Sequence, residues 1–251
     1  MNFILLMLLA ADPKQALTFK ASFDKGPDAD FAKGDKSIYF APSYKDEASA
    51  VKGLGQAPVS LENGALRFKS KHTSALFFKA KDNVPVSTGT IAFKLKLDPE
   101  QDLAPDYVDP IQFTDKAYND SAIWVDFTKD EKPRLFRLGV FGELKSWNPG
   151  NLPPDKNPKF NDRLVIVKQP PFTRAKWTQI VITYDGLGAG KGSASLYLDG
   201  KLQGASALIG EAFNWDPMKA SIRLGVNYTG LMDDIAVYSR VLTAKEIARL
   251  R

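Results

Sequence analysis

The chain has 251 residues, 44% of them hydrophobic, with 34 Lys and Arg against 29 Asp and Glu, one histidine and no cysteine. That length allows one large β domain or two small ones with a core that needs no cross-links, and the lack of cysteine excludes disulfides, thiolate metal sites and cysteine nucleophiles while leaving the compartment open. The formal charge of +5 is scattered rather than gathered into a run, so it reads as a mixed-charge solvated surface and not as a nucleic-acid face.

The first residues carry an apolar run from Phe3 to Ala11, too short to span a bilayer and of the length of a secretory h-region, although the usual positive start is missing. Residues 1–16 are therefore expected to be a signal peptide, with a buried N-terminal strand as the alternative. The mature domain would be 17–251, secreted or periplasmic. Leu17 to Phe23 alternates apolar and polar and reads as a first strand ending at Asp24-Lys25-Gly26. Asp28 to Gln56 reads as a long surface excursion with a short strand at Ser37 to Phe40. Asn63-Gly64 is a hairpin turn, Ala75 to Lys79 a strand, and Thr90 to Leu97 a half-buried strand with Ile91, Phe93, Leu95 and Leu97 on one face.

Prolines at 99, 105 and 110 and several acids mark 98–120 as a loop insertion. Ala122 to Thr128 and Leu135 to Phe141 are strands. The stretch 142–176, with Pro149, Pro153, Pro154, Pro158, Pro170 and Pro171, is a second insertion in which only Arg163 to Val167 has strand character. From Trp177 to Gly204 the chain is a β-meander: a β-branched strand at Thr178 to Tyr184, apolar on both faces, then Ala194 to Leu198 and an Asp199-Gly200 turn. Ser221 to Gly225 and Leu231 to Tyr238 are the last strands. Thr243-Ala244-Lys245-Glu246 is a capping box that starts one short terminal helix, Ala244 to Leu250. About a dozen short strands, one helix and proline-rich connections predict an all-β fold, a two-sheet antiparallel β-sandwich in a single domain.

The carboxyl-terminal third resembles laminin G-like domains of the concanavalin A-like lectin and glucanase superfamily. The residues that carry the resemblance are Trp177 with Ile180 to Gly186, Leu196 to Lys201, Ile222 to Gly225, and Gly230 to Tyr238 followed by Arg240 to Thr243. It implies a jelly roll with a convex and a concave face. In such proteins an acid near the end of the first strand and the aspartates of the last strand often share a structural calcium ion, which carries over to Asp24, Asp233 and Asp234. Asp233 shares parity with Leu231, Ile235 and Val237, so its carboxylate is expected on the core side, where it needs a partner: calcium, backbone amides or an arginine.

Catalysis finds little support in the residues. Two-carboxylate glycosidases need acids facing one another across a sugar, and no strand here presents acids at i and i+2; Asp126 sits alone between Trp124 and Thr128 on its face. His72 lies in the polar stretch Lys71-His72-Thr73 and reads as a surface residue. Sugars are bound on flat aromatic rings beside polar groups. Trp147 and Trp215 stand in loops with polar neighbours and fit a binding rim, with Tyr228 beside them and Tyr107 and Tyr118 as weaker candidates; the other reading is that the two indoles anchor their loops. Trp124 and Trp177 read as core. The expected function is thus a non-catalytic, exported, monomeric binding module that recognises carbohydrate. The alternatives are an adhesive domain that binds an extracellular protein through 98–120 and 142–176, and a divergent polysaccharide-active enzyme. No nucleic acid or membrane span is expected.

Overall fold

The Asp199-Gly200 turn closes with φ of 48° and 75°, the left-handed pair that a two-residue hairpin turn requires and that Asp and Gly tolerate. Asn63 and Gly64 do the same at 50° and 76°. The computed structural model describes residues 12–250. In chain order its strands are β1 (Leu17–Ala21), β2 (Phe31–Ala32), β3 (Ile38–Ala41), β4 (Val51–Lys52), β5 (Val59–Glu62), β6 (Ala65–Phe68), β7 (Ala75–Lys79), β8 (Gly89–Lys96) and β9 (Val108–Thr114). There follow β10 (Ala122–Phe127), β11 (Phe136–Phe141), β12 (Leu164–Val167), β13 (Thr178–Asp185), β14 (Ser193–Leu198), β15 (Lys201–Ala205), β16 (Ser221–Val226) and β17 (Gly230–Tyr238). The terminal helix is joined by two further one-turn helices that the sequence pattern does not announce: α1 (Pro99–Asp102) and α2 (Leu144–Trp147) precede α3 (Ala244–Ile247). The capping box at Thr243 and Glu246 forms as expected.

Two antiparallel sheets make a sandwich. One has nine strands in the order β15-β14-β13-β8-β17-β1-β2, with β6 and β5 joining at β17; the other has eight, β12-β11-β10-β9-β16-β7-β3-β4. Alternate residues meet between them: Phe19, Phe93, Ile182 and Val237 from the first sheet, Phe78, Phe113, Val125, Leu138 and Ile222 from the second. Each such side chain contributes roughly 1.5–3 kcal/mol by leaving water, and this shared layer fixes which face of every strand is left over for function.

Three sequence expectations are corrected here. The stretch 98–120 is not a loop, for it contains β9, the strand between β10 and β16. Pro110 disguised it. Proline cannot donate to a ladder, and Pro110 sits where the pairing with β10 shifts register between Val125 and Phe127, with no partner for it in the β16 ladder either. The excursion at 28–56 forms the expected short strand as β3, and beyond it adds β4 to the eight-stranded sheet and β2 to the other. The parity of Asp233 is also broken, because β17 has a bulge between Asp233 and Ala236 and Asp234 takes φ 51°. Met232, Ile235 and Val237 enter the core while Asp233 stays half-buried outside it. The expected leader falls mostly on residues 1–11, which lie outside the described residues; Pro13–Ala16 form a single 3-10 turn, and the Ala16 carbonyl accepts from Ser239 N at 2.7 Å.

Candidate functional site

Because Val108, Ile111, Phe113, Ile123, Val125, Phe136 and Leu138 point into the sandwich, the intervening residues of β9, β10 and β11 face outward. They are Asp109 and Gln112, Trp124 and Asp126, and Arg137 and Gly139. A cavity of ≈ 310 Å³ opens over them, closed at the sides by Tyr107, Tyr118, Pro154 and Phe160. Its volume is at the small end of ligand pockets, and its lining of rings beside a few polar groups is the usual composition of one.

Trp124 forms the aromatic floor. Its indole lies across Gly139, directly opposite on β11, where any Cβ would fall inside the ring. It stacks on Phe141 at 5.8 Å and donates from Nε1 to the Tyr118 carbonyl at 2.7 Å. Trp124 is almost fully buried, whereas Tyr107 and Tyr118 are 45% and 41% exposed, so these two rings supply the accessible π faces. The base of Tyr107 is fixed by buried Arg134, whose guanidinium donates to the carbonyls of Leu103, Ala104, Asp106 and Thr128 at 2.8–3.3 Å.

The polar floor holds two carboxyl groups and one guanidinium. Arg137 grips both oxygens of Asp126, with Nε to Oδ1 at 2.8 Å and Nη2 to Oδ2 closer still. The same guanidinium lies 5.2 Å from the Tyr107 ring and 5.8 Å from that of Trp124. Among the described residues, Asp109 on the neighbouring strand receives only Gln112 Nε2 on Oδ2. Burial and the charge of Asp126 push its carboxyl up to about 8. Burial raises Asp126 as well, but Arg137 opposes it there, so the proton of the pair resides on Asp109 and the charge on Asp126.

The three expected binding aromatics lie elsewhere. Trp147 is 2% exposed, packed with Phe141 and Phe160 under the Arg163 guanidinium at 4.7 Å, and its Nε1 donates to Asn119 O at 2.9 Å. Trp215 is 7% exposed in the main core beside Phe213 and donates to the Ser121 carbonyl. Tyr228 is fully buried against Phe68, its hydroxyl donating to Leu231 O at 2.9 Å. In each, burial leaves no face for a ligand; the two indoles take the loop-anchoring role that was the alternative reading. Anchored by Trp147, the loop 142–163 brings Pro154 and Phe160 to the cavity. His72 is likewise no surface residue, since it stacks on Phe68 and its ring nitrogen bonds within the turn to Ser74, and burial lowers its pKa.

The calcium set assembles only in part. At the bulge, β17 changes neighbour from β6 to β1, and there Asp233 lies near enough to Asp24 and Asp234 to feel both charges; with burial, the larger cause, they raise its carboxyl to about 6. Asp234, however, is bridged to Lys94 at 2.9 Å. Among the described residues no group of three or more His, Cys, Asp and Glu side chains is disposed to hold a metal, so the three acids do not fit a shared ion through their carboxylates alone.

Two antiparallel sheets packed face to face, with binding-type side chains on one outer face, define a jelly-roll β-sandwich. The chain belongs to the concanavalin A-like lectin/glucanase superfamily: the Laminin_G_3 family model matches residues 70–248. No curated protein matches it in sequence. Among solved structures it is similar to domain 4 of AbnA, a GH43 extracellular arabinanase from Geobacillus stearothermophilus, in complex with arabinotriose, at 15% identity and TM-score 0.57, covering 93% of this chain and 97% of that one. It is also similar to the binding domain of botulinum neurotoxin DC in complex with rat synaptotagmin II, at 9% identity and TM-score 0.60, and to the same binding domain in complex with SialylT, at 10% and 0.60. Each covers 95% of this chain, which spans about half, 52%, of the neurotoxin chain. At these identities the likeness is one of fold. Among the described residues no helix is long and apolar enough to cross a membrane.

Proposed function

We propose that the chain is an exported carbohydrate-binding module whose site is the cavity over β9, β10 and β11. The observation that carries this reading is the pairing of exposed Tyr107 and Tyr118 rings with the Asp109, Gln112, Asp126 and Arg137 floor in one concavity. Sugar rings present apolar faces to π systems and hydroxyls to carboxyl and amide groups, and both kinds of partner are here within one small volume. Two solved relatives of the fold, the arabinanase domain and the neurotoxin binding domain, were captured with arabinotriose and with SialylT; that supports the class of ligand.

Two facing carboxyls invite comparison with a glycosidase, but the second carboxylate of such an enzyme must be free to attack or to activate water. Arg137 occupies both oxygens of Asp126. We therefore read the pair as a binding floor. A protein partner is the second reading, supported by Leu152 and Ile166, 48% and 41% exposed within the stretch 142–176.

A glycan-array screen, run with calcium and with chelator, tests the site. Binding is expected to fall about tenfold in Tyr107→Ala and Tyr118→Ala, with melting temperatures near wild type because both rings are already exposed. Binding that survives both substitutions overturns the site. The calcium arm bears on the remaining proposal, an ion held by Asp24 and Asp233 with backbone carbonyls: a melting temperature raised by calcium supports it, and none in wild type sinks it.

A further inference from the structure

The charges on the outer face of the eight-stranded sheet run in order across four adjacent strands, and all but one are matched. On β16, Arg223 donates to Glu47 Oε1 at 2.7 Å and to the Lys116 carbonyl at 3.2 Å. On β10 and β11, Asp126 and Arg137 form their two-point pair. Between these pairs stands Asp109 of β9, with no ion-pair partner among the described residues and a single amide donor, Gln112. Nearby acids are engaged elsewhere: Asp106 with Lys71 at 2.7 Å and Asp130 with Lys129 at 3.4 Å. The Tyr44 hydroxyl, buried without a hydrogen-bond partner among the described residues, lies within electrostatic reach of Asp109 as well. Among the described residues the cavity thus holds one carboxyl more than it has cations to pair with, and it is walled by rings. Tyr107 already draws two of the protein's own cations, Arg137 at 5.2 Å and Lys129 at 5.9 Å.

We propose that the cavity selects an amino sugar, its ammonium group seated against the Asp109 carboxyl between the rings of Tyr107 and Tyr118. This rests on the cavity being the sugar site and names which sugar it takes. A neutral sugar leaves Asp109 as it stands, and an anionic one meets Asp126 with Arg137 already engaged. An ammonium supplies the missing charge: Asp109 releases its proton to solvent, and the carboxylate then holds the cation in a charge-assisted hydrogen bond. One proton leaves for each ammonium form bound, whereas an amine that arrives neutral takes the Asp109 proton and releases none.

The test is calorimetric titration with an oligomer of glucosamine and with its N-acetylated counterpart, near pH 6.5, in two buffers of different ionisation enthalpy. The amine form is expected to bind at least about tenfold more tightly, with an enthalpy that changes between buffers through the released proton. Asp109→Asn should abolish the preference between the two forms, and Tyr118→Ala should weaken both. Equal affinities for the two oligomers, weakened alike by Tyr118→Ala, would leave the sugar site standing and overturn the amino-sugar inference. Binding of neither oligomer also overturns it, and the array screen then decides whether the site itself fails.

Discussion

Two acid–arginine sites on opposite sides of the sandwich show how one extra carboxyl changes what a surface does. At α3, Arg240 pairs with Glu246 at 2.7 Å and 3.0 Å, and the same carboxylate accepts from Thr243 N. The bonds from Arg240 hold the Glu246 carboxyl down at about 2. On the outer face of β9, β10 and β11 a single arginine serves two carboxyls, and the second is pushed up to about 8 by burial and its neighbour. The first site spends its charge on closing a helix onto the sheet. The second stands at the floor of a cavity with a group that no described residue pairs with, as a binding surface would have it.

Breaking the crowded site at its one cation has the largest expected effect. Arg137→Ala leaves Asp126 buried and unpaired beside a second acid, a loss of about 3–5 kcal/mol. Urea unfolding at neutral pH checks it, and a loss below about 1 kcal/mol would mean that the pair is not the desolvated unit described above. Adding Asp126→Asn to Arg137→Ala should restore part of the loss, because the stranded charge goes with it.

A middle-sized effect comes from Asp109, and its sign is set by pH. The folded protein holds this proton up to about pH 8, whereas an unfolded aspartate releases it near pH 3.9. Stability from this group is therefore complete below about pH 4 and is lost as pH rises through the folded value. Asp109→Asn removes the loss. The variant should match wild type near pH 4 and exceed it by about 1–3 kcal/mol near pH 9, read from urea unfolding at the two values. A variant less stable at both pH values would show that Asp109 is held for structure.

How much of this was legible in the sequence depended on whether a residue's environment is local. The hairpin at Asp199-Gly200, the period of β8 and the capping box at Thr243 are set by near neighbours, and each appears where its pattern places it. That Asp126 shares a face with Trp124 was readable for the same reason, but not that the face is the outer one, since Trp124 read as core. The partner of Asp126 was hidden, because Asp109 is followed by Pro110, and a proline in a central strand is tolerated only where the ladder slips, which depends on the register of β10. The tryptophans failed in the opposite way. Polar neighbours made Trp147 and Trp215 look exposed, but their N–H groups find carbonyls at Asn119 and Ser121, far off in the chain and brought near by the fold. The Asp233 parity failed at a bulge, which shifts every later side chain to the other face.

The smallest expected effect belongs to the site at α3 and sharpens the contrast. Glu246→Gln keeps a side chain that can accept from Thr243 and complete the capping box, and it removes only the charge that Arg240 pairs with. The pair borders solvent, so the cost should be about 1 kcal/mol or less. The pH dependence runs opposite to that of Asp109. A depressed carboxyl contributes stability above its unfolded value, near 4.3, and loses it as pH falls through the folded value, about 2. Wild type should therefore converge on Glu246→Gln between about pH 4 and pH 2 and stand above it at neutral pH. If instead the variant were the more stable at neutral pH, the carboxylate at α3 would be as overcrowded as Asp109, and the difference drawn between the two arginine sites would fail.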